Sequence, residues 1–366
     1  MGVPLSVGII GAGKISAAYA TTLARLPGIA LTRVADLDPA RAAALAADFP
    51  GVLPVPTAGL LSSEDVDLVL NLTVPQAHAA VALAALAAGK HVYGEKPLAA
   101  TTAEARPVLA AAAGAGLAVG CAPDTVLGTG VQTARASLLA GDIGTPVAAT
   151  AFMVTPGHEL WHPDPEFYYQ PGGGPLLDMG PYYLTALVTL LGPVRRVTGM
   201  AATPRRARTI AAGPRAGTVF PVGVATHQTG VLEHTSGALT TLLMSFDVWT
   251  GRLPRIEVYG SDGTLGLPDP NQFAGPVHLF TGATGEWTEL PDRAGYRDAA
   301  RGYGVADLAH SLRTGTPHRA GADLAYHVLD IMECLQTAAE TGAAVTVPST
   351  CDLPALVPLS AHPDAL

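Results

Sequence analysis

The chain has 366 residues, a formal net charge of −9 and three cysteines, Cys121, Cys334 and Cys351. That acidity argues against nucleic acid and anionic membranes as partners. Cysteines without CxxC or CxxH spacing exclude a disulfide scaffold and a zinc finger, and point to a reduced, cytoplasmic setting. The length allows two domains with separate cores, and hydrophobic residues, many of them Ala, make up 49% of the chain. The longest apolar stretch, Ala79–Ala88, is too short to cross a bilayer. No signal peptide is expected. Met1-Gly2 formally opens a myristoylation pattern and Asn71-Leu-Thr73 a glycosylation sequon, and neither is expected to be used.

Residues 5–10, rich in Val and Ile, read as a buried parallel strand. Gly11-Ala-Gly13 makes a tight turn, and Ile15–Leu26 has the apolar spacing of a helix. A helix opened by glycines aims bare N–H groups at whatever lies above it, which is a phosphate site. Ser16 stands at the third, small position of the dinucleotide fingerprint. Asp36 closes the next apolar run, 23 residues after Gly13, where a carboxylate accepts hydrogen bonds from an adenosine ribose. It would repel a 2′-phosphate, and no Arg directly follows it, so NAD is expected over NADP.

Pro39–Ala47 reads as a helix and Pro50–Thr57 as an extended piece. Then come a strand at Leu68–Thr73, a helix at Pro75–Ala88 and a strand at Lys90–Tyr93 that exits through Gly94-Glu95-Lys96-Pro97. Thr101–Gly114 reads as a helix and Leu117–Cys121 as a strand. This alternation predicts a doubly wound parallel sheet over residues 1–123, with a ligand crevice beyond the strand ends that carry Thr73, Glu95 and Lys96.

From residue 124 the pattern changes. A helix at Thr129–Gly141 and a strand at Pro146–Thr155 precede a loop, His158–Gly174, crowded with aromatic residues, histidines and prolines. A helix follows at Pro175–Leu191. Candidate strands run at Val194–Ala201, Val222–Gln228, Ala238–Phe246, Arg255–Tyr259, Thr264–Leu267 and His278–Thr281. Helices at Val305–Arg313 and Ala322–Thr341 close the chain. The reading for 124–366 is an α+β domain with a large, mainly antiparallel open sheet. The basic stretch Thr203–Gly217 reads as a solvated loop.

Lys96 is the leading catalytic candidate: a lysine desolvated at the nicotinamide end of a crevice can take or return a hydroxyl proton as hydride moves. In the His158–Gly174 loop, aromatic faces suit the C–H side of a sugar, while His and Tyr tips suit its hydroxyls. His158, Trp161, His162 and Tyr168 are its candidate substrate contacts. His158 and His162 with Glu159 lack an evident third ligand, so no metal is expected. His227, His234, His310 and His327 read as structural, and Tyr183 as core.

The opening fingerprint, Glu95-Lys96-Pro97, Gly172-Gly-Gly174-Pro-Leu-Leu-Asp178 and Tyr259-Gly-Ser-Asp-Gly-Thr-Leu265 together resemble the glucose–fructose oxidoreductase/inositol dehydrogenase/rhizopine catabolism (Gfo/Idh/MocA) family over nearly the whole chain. The resemblance implies a Rossmann domain and an open-sheet domain that pairs through its outer face into a homodimer or homotetramer. It implies NAD(P)-dependent oxidation or reduction of one carbinol of a sugar, sugar derivative or cyclitol. Cofactor contacts would fall at Gly11, Gly13, Lys14, Ile15, Asp36, Thr73, Pro75, His78, Glu95 and Lys96, with Glu95 facing the nicotinamide riboside and Lys96 the substrate. Pro123 and Asp124 would line the cleft. The resemblance also places Asp178 and Tyr182, one helical turn apart, at the substrate. Here the sequence departs from the family, which usually has His where Tyr182 stands. Three arrangements are open: Tyr182 passes the proton, Lys96 passes it while Tyr182 positions the sugar, or His158 or His162 supplies an imidazole. An alternative to the dehydrogenase is an enzyme that retains its NAD and cleaves glycosides by transient oxidation and elimination.

Overall fold

The computed structural model describes residues 3–361; Met1 and Gly2, which open the formal myristoylation pattern, lie outside them. The described residues divide into two compact units, one of residues 3–132, 294–326 and 354–361, the other of 133–293 and 327–353. This differs from a single division after residue 123.

The first unit is built on β1 (Leu5–Ile10), β2 (Ile29–Ala35), β3 (Leu53–Pro54), β4 (Leu68–Asn71), β5 (His91–Gly94) and β6 (Val119–Cys121). They form one parallel sheet in the order β3-β2-β1-β4-β5-β6. Val7, Ile9, Leu68, Val69 and Leu70 are wholly buried, as expected of strands covered on both faces. Between the strands lie α1 (Ser16–Leu23), α2 (Pro39–Ala47), α3 (Thr57–Leu61), α4 (Pro75–Ala87) and α5 (Thr102–Ala115). Their ends are written in local chemistry. Asp38 caps α2 by accepting from Ala40 N at 3.0 Å, with Pro39 in the first turn. Thr101 caps α5 by accepting from Glu104 N, and left-handed Gly116 closes it. α3 was not foreseen: the stretch read as extended reaches only Leu53–Pro54 before a short helix begins.

The chain passes through α6 (Thr129–Ala140) to the second unit's β7 (Pro146–Val154) and α7 (Pro175–Leu191). Then follow β8 (Val194–Ala202), β9 (Ala207–Thr209), β10 (Val219–Pro221), β11 (His227–His234), β12 (Leu239–Ser245), β13 (Ile256–Gly260), β14 (Gly263–Leu267), β15 (Val277–Thr281) and β16 (Trp287–Leu290). α8 (Tyr303–Thr314) belongs to the first unit again. α9 (Ala322–Thr341) leads on to β17 (Val345–Thr346). Nine strands make one mixed sheet in the order β16-β15-β14-β13-β7-β12-β11-β8-β17. Only the β7–β12 pair among them is parallel. An α/β Rossmann sheet followed by an α+β open sheet is thus what the chain folds into.

Two expectations fail here. The strand placed at 222–228 lies instead at His227–His234, where Gly230 and a polar start blur the alternation. The Thr203–Gly217 stretch is not wholly a solvated loop. It contains β9, which pairs with β10 and carries a buried Arg208. One face of the large sheet packs on α7. On the other, register puts Met200, Val231 and Leu239 on a common side, all three exposed.

Candidate functional site

In the first unit a cleft of about 700 Å³ opens beyond the carboxyl ends of the strands, lined by Gly11, Gly13, Lys14, Ile15, Asp36 and Thr73 among others. Its floor is the turn from β1 into α1. Gly11 has φ +104°, and a Cβ on it would lie 2.6 Å from the Leu72 backbone, so only glycine lets the turn approach β4 this closely. A Cβ on Gly13 would meet no protein atom within 4 Å; the space above it is open for a ligand. Ser16 Oγ donates to Gly13 O at 2.7 Å and tightens the turn. No side chain caps the start of α1; Ser16 N donates to Gly13 O and Ala18 N to Ile15 O, each at 3.1 Å, so the turn closes on itself and presents the positive end of the helix to the cleft.

At the rim, the Asp36 carboxylate is fixed by backbone donors: Ala12 N gives to Oδ2 at 2.7 Å and Asp38 N to Oδ1 at 2.8 Å. Each oxygen keeps acceptor capacity for a ribose hydroxyl. An amide-lined floor, an uncapped helix start and a carboxylate at this rim fit a dinucleotide.

Other candidates from the same unit are placed differently. Pro75 is the first residue of α4. His78 is buried, its ring nitrogens 2.6 Å from the Pro97 carbonyl and 3.0 Å from the Thr73 carbonyl, so its side chain ties two strand-end turns together. Glu95 is turned toward α1: Tyr19 Oη donates to one oxygen at 2.7 Å and Lys96 N to the other at 3.0 Å. Burial, then the Glu95 charge, push the Tyr19 phenol well above its usual range. Lys96 is half-buried at the exit of β5, before the Lys96–Pro97 cis peptide bond. Asp124 does not line a cleft. It is wholly buried, accepting at Oδ2 from Gly302 N (2.8 Å) and Gly304 N (3.0 Å), and burial pushes its carboxyl up to about 6.

In the second unit, Asp178 sits in the first turn of α7, where a carboxylate suits the helix dipole. Pro175 opens that helix after Gly174, whose φ is +92°. Tyr182 follows one turn on and is buried; Tyr183 is fully buried, as expected of a core residue. The loop before α7 bends back so that His158 Nε2 lies 3.0 Å from Asp178 Oδ2, twenty residues on in sequence. The His158 ring packs against Tyr168 (centroids 4.1 Å apart, edge-on), Phe246 (4.5 Å) and Trp161 (5.3 Å). His162 stacks edge-on with Trp161 and Tyr168, so the four loop candidates form one cluster.

Sequence reasoning missed what holds this cluster. Arg208 and Glu159 are almost completely buried, with Nη1 to Oε1 at 2.7 Å. Arg208 Nη2 also donates to Asp247 Oδ1 at 2.6 Å, and Nη1 to the Pro156 and Phe246 carbonyls. Tyr169 Oη donates to the other Glu159 oxygen and accepts from His158 N at 3.0 Å. Burial and this carboxylate drive the Tyr169 phenol upward. The guanidinium is thus paired with two carboxylates through its terminal nitrogens, the arrangement that makes a buried charge tolerable, while its buried Nε meets no partner among the described residues. Its partners stand 49 and 39 residues away in sequence, and no local pattern marks them. Gly157 belongs to the same device: at φ +122° a Cβ would strike the Glu159 carboxylate.

His234 and His327 are structural, as read. The first meets Gly192 O and Thr240 Oγ1; the second accepts from Val194 N and faces Ser349 Oγ. Among the described residues, no cluster of three or more His, Cys, Asp or Glu side chains is arranged to hold a metal ion. None of their helices is long and apolar enough to cross a membrane.

Residues 5–122 match the NAD-binding Rossmann-fold model of an oxidoreductase family, and residues 131–266 match the GFO/IDH/MocA C-terminal domain. The chain belongs to the Gfo/Idh/MocA family. Its members are NAD(P)-dependent sugar and polyol oxidoreductases. A dTDP-3,4-didehydro-2,6-dideoxy-alpha-D-glucose 3-reductase of Streptomyces antibioticus is 30% identical over 77% of this chain and 89% of its own. D-xylose 1-dehydrogenase (NADP(+)) 2 of Haloferax volcanii is 28% identical over 85% and 90%. The fold of this Gfo/Idh/MocA protein is that of an NAD binding oxidoreductase from Klebsiella pneumoniae. The two share 24% identity and a TM-score of 0.82 over 94% of this chain and 99% of the other.

Proposed function

We propose that the protein moves a hydride between NAD and one carbinol carbon of a sugar, sugar derivative or cyclitol. The observation that carries this is the cleft of the first unit, with its open space above Gly13, uncapped α1 and fixed Asp36. Bound NAD⁺ supplies the hydride acceptor at the nicotinamide ring. The chain's part begins with binding. The Gly11–Gly13 turn and the positive end of α1 hold the pyrophosphate. Asp36 accepts from the ribose hydroxyls and disfavours a 2′-phosphate, which supports NAD over NADP. Lys14, Ile15, Thr73 and Pro75 line the path of the cofactor.

Lys96 takes the hydroxyl proton from the substrate as hydride leaves the carbon, and returns it in the reverse direction. Asp178 and Tyr182 accept and donate hydrogen bonds at substrate hydroxyls, and Trp161, His162 and Tyr168 offer ring faces and polar tips to the sugar. The relatives, a nucleotide-sugar reductase and a pentose dehydrogenase by name, support a carbohydrate substrate. The exposed Met200, Val231 and Leu239 support pairing of two or four copies through the outer sheet face, in a cytoplasmic protein. The test is a panel of sugars and cyclitols with NAD⁺ and with NADP⁺, followed at the reduced nicotinamide absorbance. Sustained NADH formation supports the reading. Product release without NADH would replace it with the NAD-retaining glycoside-cleaving reaction.

A further inference from the structure

The loop imidazole has one nitrogen committed and one shut away. Nε2 of His158 faces the Asp178 carboxylate at 3.0 Å, and a carboxylate oxygen there can only accept, so Nε2 carries the hydrogen. Nδ1 is buried and meets no hydrogen-bond partner among the described residues. Around the ring stand Trp161, Tyr168 and Phe246, all in ring contact. A hydrogen on Nδ1 would be a buried donor without an acceptor, which is costly; a bare nitrogen there costs less. The backbone is held as firmly as the ring. His158 N donates to Tyr169 Oη, Tyr169 Oη to Glu159, and Glu159 is locked to the buried Arg208.

We infer that His158 is a positioning residue: a fixed Nε2–H donor that orients the Asp178 carboxylate for a substrate hydroxyl and carries no proton of the reaction. The inference rests on the reading of Asp178 as a substrate contact. Of the three arrangements open from the sequence, it removes His158 as the source of a catalytic imidazole. The Asp178 carboxylate thus has its imidazole partner in the preceding loop, twenty residues away, and not on its own helix. The basic β9–β10 segment acquires a purpose as well, since Arg208 anchors the loop that delivers His158.

The experiment compares His158→Gln with His158→Phe in the full chain. Glutamine places an amide N–H near the Nε2 position; phenylalanine keeps the ring and loses the donor. Loss of a hydrogen bond to a charged group predicts that His158→Phe lowers kcat/KM for the sugar by about tenfold to a hundredfold. The KM for NAD⁺ should stay within a factor of about two, because the cofactor cleft is built in the other unit. His158→Gln should recover at least about tenfold of that loss. If glutamine is as damaging as phenylalanine, the donor role is wrong.

A second readout does not depend on turnover. Two-bond ¹H–¹⁵N correlation spectra of the ligand-free, ¹⁵N-histidine-labelled protein report each ring tautomer, and the signal lost in His158→Gln is that of His158. Hydrogen on Nε2 alone supports the inference; hydrogen on Nδ1 overturns it. A wild-type enzyme that reduces no nicotinamide with any sugar or cyclitol would sink the proposed function, and the spectra would still decide the His158–Asp178 pairing.

Discussion

The cofactor cleft of the first unit and the aromatic loop of the second are made of different materials. The cleft is made of main chain: a glycine whose Cβ would collide with Leu72, a helix start with no cap, and a carboxylate held by two backbone N–H groups. The loop is made of side chains drawn together from afar, with Arg208 joining Glu159 to Asp247 and His158 reaching Asp178. A main-chain site suits a ligand that never changes; a side-chain site can be rebuilt for another substrate without disturbing the first.

The widest break in this comparison would come from Lys96, a single side chain assigned the proton transfer. Lys96→Ala is expected to cut kcat by about 100- to 10,000-fold while the NAD⁺ dissociation constant stays within a few-fold. Steady-state rates and a binding titration check it; unchanged turnover would leave the chemistry to other residues. Next is Arg208→Met, which strands two buried carboxylates. Removing one partner of such a pair is expected to cost about 3–5 kcal/mol of stability and to raise the KM for the sugar. Denaturant unfolding and sugar kinetics measure both, and a loss of NAD⁺ affinity of equal size would show that the two sites are not separately built.

Asp124 gives a pH test inside the first unit. Burial raises its carboxyl from an ordinary 3.8 to about 6, so the folded state holds a proton that the unfolded chain releases between those values. Its contribution is fully present below about pH 4 and is lost as pH rises through 6. At about 1.36 kcal/mol per pH unit this amounts to about 3 kcal/mol. Asp124→Asn should therefore flatten the stability profile between pH 4 and 6, as read from unfolding midpoints at several pH values; a slope identical to wild type would remove Asp124 as its source. The smallest effect is expected at Asp36. If backbone N–H groups hold most of the dinucleotide, Asp36→Ala should weaken NAD⁺ by about tenfold to a hundredfold and narrow the preference over NADP⁺. Calorimetry with both cofactors decides, and a loss of all measurable binding would mean that the carboxylate, not the main chain, dominates.

The difference in material also explains what could be read from residues alone. Main-chain sites leave local signatures, because a positive φ or a close approach demands glycine at a set spacing; Gly11, Gly13 and Asp36 were legible for that reason. α7 was legible to its ends, since Pro175 opens it and Gly192 closes it. Arg208 was not. Charge in a Gly- and Pro-rich stretch signals solvent, and only partners distant in sequence turn it inward. β11 slipped because His227, Gln228 and Thr229 hide its alternation, and β17, at two residues, is too short to leave any. For His78 the residue was visible but its use was not, since nothing local shows that the Pro97 and Thr73 carbonyls converge on one ring.

The first unit is threaded from three separate stretches of the chain. A fragment ending at residue 132 would keep every strand of the parallel sheet and lack α8. The buried Asp124 would then lose both of its glycine N–H donors, Gly302 and Gly304, and Tyr93 the close cover of Gly304. Severed there, the N-terminal piece is expected to be less stable than the intact unit, and residues 294–326 supplied in trans should restore part of that loss.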